Sequence, residues 1–393
     1  MDPATLSDGI SSSTALSLVS SVRYHTSLPT TYVGGLDALL HSADLPLRRG
    51  DIVEVQGLPG SAKSSLLLHL AATALLPRTA HVRIADQVLA VPVGGKEQAV
   101  AWIDCTAARF DIDRLASLVR HHLDLAIRRF RAPRGIGAPR GDELESLVDE
   151  CMARLHVFSP TSTLQLAVTL QGLPRWAARA TADELGYVLV DGMSEFAWAD
   201  QHAAMTAVGG GAPDTKQPLR LVLHALAQLR ATLAPVVFIT QWVFRPQAVL
   251  PQRSQEGLPF YAHHYAPPHW PSILTPARAR APDPDSDTDP AGARSPLARL
   301  EGPVPVPLAL HITLHPAPVA PLRRGTPLAA LAAEQRRRVG VRQKARDGPR
   351  RGSWGTAEGA VGGTEGIRCV VRKPGGVEVG SWEMSVFERE IVT

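Results

Sequence analysis

The stretch that decides the fold is Gly57-Leu58-Pro59-Gly60-Ser61-Ala62-Lys63-Ser64. It follows the pattern G-x-x-x-x-G-K-[ST] of a phosphate-binding P-loop, with Ala62 in place of the second glycine. Residues 51–55 before it alternate as in a β-strand, and residues 64–76 after it form an apolar run of helical period. The order strand, loop, helix is the context that this motif requires, so the stretch predicts an α/β fold.

The chemistry of the motif follows from this placement. Backbone N–H groups at the start of a helix surround a phosphate, Lys63 reaches the terminal phosphates, and the hydroxyl of Ser64 is a ligand for Mg²⁺. The alternative is an ordinary glycine turn before a helix, which Lys63 and Ser64 in register disfavour. We expect the methyl group of Ala62 to weaken nucleotide binding without abolishing it. The predicted nucleotide-binding residues are Gly57, Leu58, Pro59, Gly60, Ser61, Ala62, Lys63, Ser64 and Ser65.

Strand-like and helical segments alternate along the chain. This predicts a mostly parallel sheet with helices on both faces and ligands beyond the carboxyl ends of the strands. The predicted strands are 51–55, 99–104, 154–158, 186–191, 235–240 and 308–314, and the predicted helices are 64–76, 111–129, 163–180 and 217–233. The chain closes on a predicted C-terminal β-hairpin with strands at 366–372 and 382–387.

Composition divides the chain into ordered and disordered parts. Two segments are too rich in Pro, Gly and charge to bury enough apolar surface, and we expect them to be long disordered insertions. The expected division is an N-terminal arm (1–32), a core (33–244), a Pro-rich insertion (245–305), a core strand (306–319), a basic insertion (320–365) and a terminal hairpin (366–393).

Overall composition bounds the function only loosely. A hydrophobic share of 45% is enough for a sizeable core, and a net charge of +4 permits contact with nucleic acid without requiring it. The basic run within 334–351 either contacts DNA phosphates or is a solvated charge run. The three cysteines are expected to be buried, reduced thiols, and the pairs at 121–122 and 263–264 to be surface histidines. No apolar run is long enough to span a membrane, so we expect no membrane contact.

Two further strand ends carry polar residues. The apolar segment 186–191 ends in Asp191, which suits a carboxylate that helps hold Mg²⁺ together with Ser64, or which caps the next helix. The segment 236–241 ends in Thr240 and Gln241, which either sense the terminal phosphate or simply lead into a loop. Beyond it, Trp242 and Phe244 either stack on bases or pack in the core.

The approach to the P-loop resembles that of RecA-type recombinases at residues 34–40 (GGLDALL) and 47–51 (LRRGD). A second resemblance lies at residues 191–200 (DGMSEFAWAD), which are similar to a D-S-x-S-x-F-x-W-x-D phrase of eukaryotic recombinase paralogs, with Gly192 in place of the first Ser. The resemblance covers roughly 250 residues. It implies a RecA-like P-loop NTPase core that uses ATP and Mg²⁺, assembly with other recombinase paralogs, single-stranded DNA as context, and a nuclear role in homologous recombination and double-strand-break repair.

The resemblance also marks one departure. Active recombinases place a water-activating Glu shortly after the second core strand, where this chain has Thr106. Threonine is not a general base at neutral pH, so we expect weak or absent ATP hydrolysis and assign no catalytic residue. The expected function is an ATP-binding accessory subunit that supports recombinase filaments. The alternatives are an active DNA-dependent ATPase and a scaffold that binds no nucleotide.

Overall fold

The fold is a sheet with helices on both faces, seen here in a computed structural model. The structure describes residues 30–84, 87–106, 110–180, 183–206, 217–243, 308–316, 366–386 and 391–392, together with a few single positions. The two insertions predicted at 245–305 and 320–365 lie outside the described residues, apart from a single position in the second, as does nearly all of the arm predicted at 1–32.

Nine of the strands in this described part form one sheet, in the order β11-β10-β9-β8-β1-β7-β6-β4-β5. The six strands from β8 to β5 run parallel, and β9, β10 and β11 pair antiparallel. The strands are β1 Ile52–Gly57, β4 Ala99–Asp104, β5 Leu155–Phe158, β6 Leu185–Asp191, β7 Val236–Trp242, β8 Leu310–His315, β9 Ile367–Lys373, β10 Val377–Val386 and β11 Ile391–Val392. A separate antiparallel hairpin joins β2 Thr79–Ile84 to β3 Gln87–Pro92.

Helices cover both faces of this sheet. They are α1 Gly34–Ser42, α2 Lys63–Leu75, α3 Ile112–Arg131, α4 Gly141–Met152, α5 Thr163–Ala180, α6 Ala197–Thr206 and α7 Gln217–Thr232. Apolar residues of α1 to α4 pack on one face, and those of α5 and α7 pack on the other. The period of two along β7 shows the division, because Phe238 joins the first cluster while Val237 and Ile239 join the second.

The central strand β1 is buried along its whole length, as is expected of a parallel strand between two neighbours. It pairs with β7 on one side and β8 on the other, so the P-loop that follows it emerges between the ends of these strands. The predicted α/β class and the mostly parallel sheet are confirmed.

The terminal hairpin has a turn that its sequence explains. The N–H of Gly376 donates to the Lys373 carbonyl at 3.1 Å, with Pro374 and Gly375 between them and Gly375 at φ +91°. Proline followed by a residue with positive φ is the pattern of a type II turn. The second strand begins at Val377, earlier than the predicted 382, because the turn leads straight into pairing with β9.

Sequence reading missed the β2–β3 hairpin and the helix α4. The β2 residues alternate between exposed and buried positions, which is the pattern of a half-covered strand. The stretch at 131–140 comprises the end of α3, a 3-10 turn at Ala132–Arg134 and a connection into α4.

Candidate functional site

The P-loop leaves the end of β1 and enters α2, as the motif predicts. Its first glycine is required by space, because a Cβ on Gly57 would lie 2.2 Å from Ser61 Oγ and 2.8 Å from the Leu314 carbonyl oxygen. The loop closes with a hydrogen bond from the Ser61 N–H to the Leu58 carbonyl at 3.1 Å. The hydroxyl oxygen of Ser61 is buried and has no partner in the described part of the chain. A polar atom left in this way inside the loop suits a phosphate ligand.

Ala62 adopts the backbone conformation that the missing glycine would take. Its φ is +63° and its ψ is +27°, in the left-handed region, and it stands immediately before the first residue of α2. A residue with a Cβ is strained there by about 1–2 kcal/mol. The substitution therefore leaves the shape of the loop intact and places strain in its backbone.

Lys63 points back into the loop. Its Nζ donates to the carbonyl oxygens of Gly57 at 2.8 Å and Leu58 at 3.0 Å. Burial lowers the pKa of Lys63 to about 8, against the attraction of the Asp191 carboxylate. The ammonium still carries its charge at pH 7, so the loop holds a cation among backbone groups where the motif aims it at phosphate.

Asp191, at the end of β6, is brought to the mouth of the P-loop and held there by hydroxyl groups. Thr240 Oγ1 donates to Asp191 Oδ1 at 2.7 Å, and Ser64 makes a second side-chain hydrogen bond to the carboxylate. Burial raises the pKa of Asp191, and these hydrogen bonds and the charge of Lys63 offset this only in part. The predicted metal-binding pair, Ser64 and Asp191, is thus in direct contact.

Thr240 does more than lead into a loop. Its hydroxyl oxygen also accepts the N–H of Gly192 at 2.7 Å, so it joins the end of β7 to the turn after β6. Gln241 is buried opposite Gln56 in the parallel register of β7 and β1. Within the described residues, the amide nitrogen of Gln241 and both amide atoms of Gln56 have no hydrogen-bond partner. Buried side-chain amides without a partner beside the P-loop are able to form hydrogen bonds with a ligand bound in the loop.

Thr106 is turned toward a second carboxylate. Its N–H donates to Asp104 Oδ1 at 3.0 Å and its hydroxyl donates to the same oxygen at 2.6 Å. Asp104 and Asp191 are partners in the register of β4 and β6, so the two residues stand side by side at the carboxyl ends of these strands. The hydroxyl of Thr106 is committed to Asp104 and supplies no base.

The phrase 191–200 forms the junction between α5, α6 and β7. Ser194 Oγ accepts the Trp242 N–H at 2.9 Å, and Thr163 Oγ1 donates to Asp200 Oδ2 at 2.6 Å. Phe196 is buried in the core, whereas Trp198 is 64% exposed. Trp242 is half-buried and Phe244 lies outside the described residues, so their contact with bases stays a prediction.

Sequence reading missed two acidic residues near this site. Asp104 ends an apolar strand just as Asp191 does, and this repeated signal could have found it. Glu195 has a buried carboxylate oxygen without a partner in the described part, and burial raises its pKa. Burial, followed by the charges of Asp104, Asp191 and Glu195, raises the pKa of the Cys105 thiol. An acidic cluster therefore surrounds this end of β4.

The remaining candidates have structural explanations. All three cysteines are buried and free, and His121 and His122 are half-buried on α3. The described residues contain no group of three or more His, Cys, Asp or Glu side chains that could hold a metal. No helix in the same part of the chain is both long enough and apolar enough to cross a membrane.

The mostly parallel sheet with helices on both faces, and the predicted P-loop after its central strand, agree with the predicted RecA-like α/β fold. No family model matches the chain. The chain is similar to the mouse DNA repair protein XRCC2, with 29% identity over 42% of this chain and 46% of that protein. It is also similar to an Arabidopsis thaliana DNA repair protein XRCC2 homolog, with 25% identity over the same shares. The resemblance to an XRCC2-like recombinase paralog is confirmed, and the chain spans about half the length of the relatives it matches.

Proposed function

We propose that this protein is an ATP-binding accessory subunit of DNA repair by homologous recombination. The observation that supports this most is the contact set at the mouth of the P-loop, where Lys63, Ser64, Asp191 and Thr240 converge from three separate segments. The similarity to two DNA repair proteins gives the biological setting.

The residues present fit ATP and Mg²⁺. Lys63 supplies a buried cation, the loop supplies the unpartnered Ser61 hydroxyl, and Gly60 leaves open space with its φ at +78°. Mg²⁺ prefers oxygen ligands and is commonly held by one or two protein groups together with phosphate oxygens, which matches Ser64 and Asp191. When bound, the ion neutralises phosphate charge. The chain itself positions the phosphates through Lys63 and orients Asp191 through Thr240.

The residues do not supply an evident base for hydrolysis. The hydroxyl of Thr106 donates to Asp104, and Asp191 accepts a hydrogen bond from Thr240. Glu195 is the carboxylate of the site that keeps a buried oxygen without a partner in the described part, and it is tested as a base below. We therefore assign nucleotide binding a structural role. The P-loop before α2 and the ends of β6 and β7 would hold ATP between them, and its binding would stabilise the surface from which the following loops emerge.

The proposed partners are other recombinase paralogs, and the proposed context is a recombinase filament on single-stranded DNA in the nucleus. The sequence phrase 191–200 and the similarity to the XRCC2 proteins support this assignment. The two alternatives differ at the nucleotide. An active ATPase requires turnover, and a pure scaffold requires that Lys63 be dispensable.

Binding is tested with purified full-length chain and a labelled ATP analogue, with and without Mg²⁺. Lys63→Ala should lose binding by tenfold or more (on the order of 1.5–3 kcal/mol for a charge-assisted contact). The matched control is Lys373→Ala at the end of β9, just before the hairpin turn and at the opposite end of the strands from the P-loop. Equal binding by Lys63→Ala and the parent chain would refute the nucleotide assignment and leave the scaffold.

The cellular role is tested by complementation. Cells that lack this protein should recover repair of induced double-strand breaks with the parent chain and with Lys373→Ala. Co-purification followed by mass spectrometry should recover recombinase paralogs with the parent chain and fewer with Lys63→Ala. Recovery of no recombination protein with the parent chain would contradict the accessory role.

A further inference from the structure

A cavity of about 510 Å³ lies at the amino ends of the parallel strands, opposite the ends from which the P-loop emerges. Among its lining residues, Gln98 comes just before β4, Gly186 stands near the start of β6, and Val236 begins β7. These are the amino ends of the parallel strands, whereas the P-loop follows the carboxyl end of β1. The cavity is thus separate from the proposed nucleotide site, and its volume lies in the range of small-molecule pockets.

The lining of this cavity is rich in cations. Three cationic residues, Arg49, Arg78 and Lys96, contribute to it, against the single carboxylate of Glu184. Arg49 Nη1 forms an ion pair with Glu184 Oε1 at 2.7 Å, which engages that carboxylate. The guanidinium of Arg78 makes no ion pair within the described part of the chain. The described lining therefore carries more positive than negative charge.

Lys96 is held in place by two aromatic residues. Its Nζ donates to the hydroxyl of Tyr187 and lies 4.3 Å from the centroid of the Tyr187 ring and 5.4 Å from that of Tyr32. An ammonium group has three donors, and this is the one hydrogen bond that Nζ makes among the described residues. Burial lowers the pKa of Lys96 to about 7, which the charge of Asp37 opposes and that of Arg49 reinforces. A negative ligand would add to the attraction of Asp37, which burial outweighs here.

The backbone fixes Arg78 and Lys96 relative to one another. The N–H groups of Val93 and Gly94 both donate to the Arg78 carbonyl at 3.0 Å, and that of Gly95 donates to Pro77 at 3.0 Å. A Cβ on Gly95 would lie 2.1 Å from the Leu76 carbonyl oxygen, so only glycine allows this approach. The backbone before Lys96 is thereby tied to the start of β2, where Arg78 is an exposed residue.

We propose that this cavity is a second anion-binding site that takes a phosphate group between Arg78 and Lys96, with Arg49 as the inner wall. A phosphate presents oxygen acceptors to the fork of a guanidinium and to a point charge, which is how proteins commonly recognise it. The group is carried either by free phosphate or by a phosphorylated side chain. This site is independent of the proposed nucleotide site, because the two sites lie at opposite ends of the parallel strands.

The test uses full-length chain with Lys63→Ala, which removes the P-loop as a competing phosphate site. Inorganic phosphate is titrated in by calorimetry, and melting temperatures verify that each variant is folded. Arg78→Ala and Lys96→Met should each weaken binding by about tenfold, the usual weight of one charge-assisted hydrogen bond. The matched control is Arg83→Ala, an exposed arginine of β2 that does not line the cavity, and it should bind as the parent does.

A second arm distinguishes the sources of the phosphate. A short phosphoserine peptide that binds more tightly than inorganic phosphate, with the same dependence on Arg78 and Lys96, identifies a phosphorylated side chain as the ligand. Equal affinity identifies free phosphate. Absence of binding, or equal losses in Arg78→Ala and Arg83→Ala, would overturn the proposal whatever the nucleotide result is, since the P-loop is disabled in every sample.

Discussion

The Cγ2 methyl of Thr106 lies 2.8 Å from the position that a Cβ atom on Gly192 would take. Real Cβ atoms essentially never approach another heavy atom so closely, and the φ of Gly192 is +79°. Thr106 and Gly192 are also two of the positions at which the sequence departs from the expected patterns, as Ala62 of the P-loop does. Their contact indicates that the departures are coupled, because threonine at 106 leaves room only for glycine at 192.

The first prediction follows from this contact. Gly192→Ala should lower the free energy of unfolding by about 1–3 kcal/mol, since it adds both left-handed strain and a steric clash. Denaturant unfolding measures this loss. Gly137→Ala is the control, because Gly137 has open space around it and its backbone is not in the left-handed region.

A double-mutant cycle separates the two causes. Thr106→Ser removes the methyl group and keeps the hydroxyl that donates to Asp104. In the Thr106→Ser background, Gly192→Ala should lower the free energy of unfolding by less than it does in the parent chain. The difference between the two losses measures the clash with the methyl group, and the loss that remains measures the backbone strain. Equal losses in both backgrounds would show that the contact has no energetic weight.

The second prediction concerns Ala62. Ala62→Gly should stabilise the chain by about 0.5–1 kcal/mol, because removal of left-handed strain outweighs the greater flexibility of glycine in the unfolded chain. ATP binding should be unchanged or tighter. Ala62→Val should act in the opposite direction, since a β-branched residue tolerates this conformation poorly. A loss of stability in Ala62→Gly would contradict the strain argument.

The third prediction concerns turnover. The purified chain should hydrolyse ATP little above background, because a positioned general base contributes about 10²–10⁴-fold and Thr106 is not one. Steady-state phosphate release with and without single-stranded DNA measures it. Robust release that Lys63→Ala abolishes would favour the ATPase alternative. Loss of that release in Glu195→Gln as well would identify the unpartnered Glu195 carboxylate as its base.

The sequence predicted those elements and site residues whose pattern lies within one continuous segment of the chain. β4 and α5 have the predicted bounds, 99–104 and 163–180, because each is one uninterrupted periodic run. The residues at the mouth of the P-loop were identified because each ends or begins such a run. The cavity around Lys96 was missed because its lining comes from loops far apart in the chain, and no period or spacing brings Arg78 and Glu184 together.

The fourth prediction concerns pH. Lys96 is desolvated, so its pKa falls from 10.5 to about 7 on folding. Between these values the side chain of Lys96 holds more protons in the unfolded chain than in the folded chain, so its contribution to stability rises with pH. The clearest window is pH 7–8, below the lowered pKa of Lys63 at about 8. Lys96→Met should flatten the rise in that window, whereas the control Lys373→Met should keep it. Unfolding measured at a series of pH values decides between them.

The fifth prediction concerns Thr240, whose hydroxyl donates to Asp191 and accepts from the Gly192 N–H. Thr240→Val should lower the free energy of unfolding by about 1–3 kcal/mol, since it leaves a buried carboxylate oxygen and a buried N–H without this partner. It should also weaken the Mg²⁺ dependence of ATP binding, because Asp191 loses one of the two hydroxyl groups that orient it. Thr240→Ser keeps the hydroxyl and should restore the Mg²⁺ dependence even if the lost methyl group costs some stability. If valine and serine at this position gave the same Mg²⁺ dependence, Thr240 would be a packing residue of β7 and not a positioning residue for Asp191.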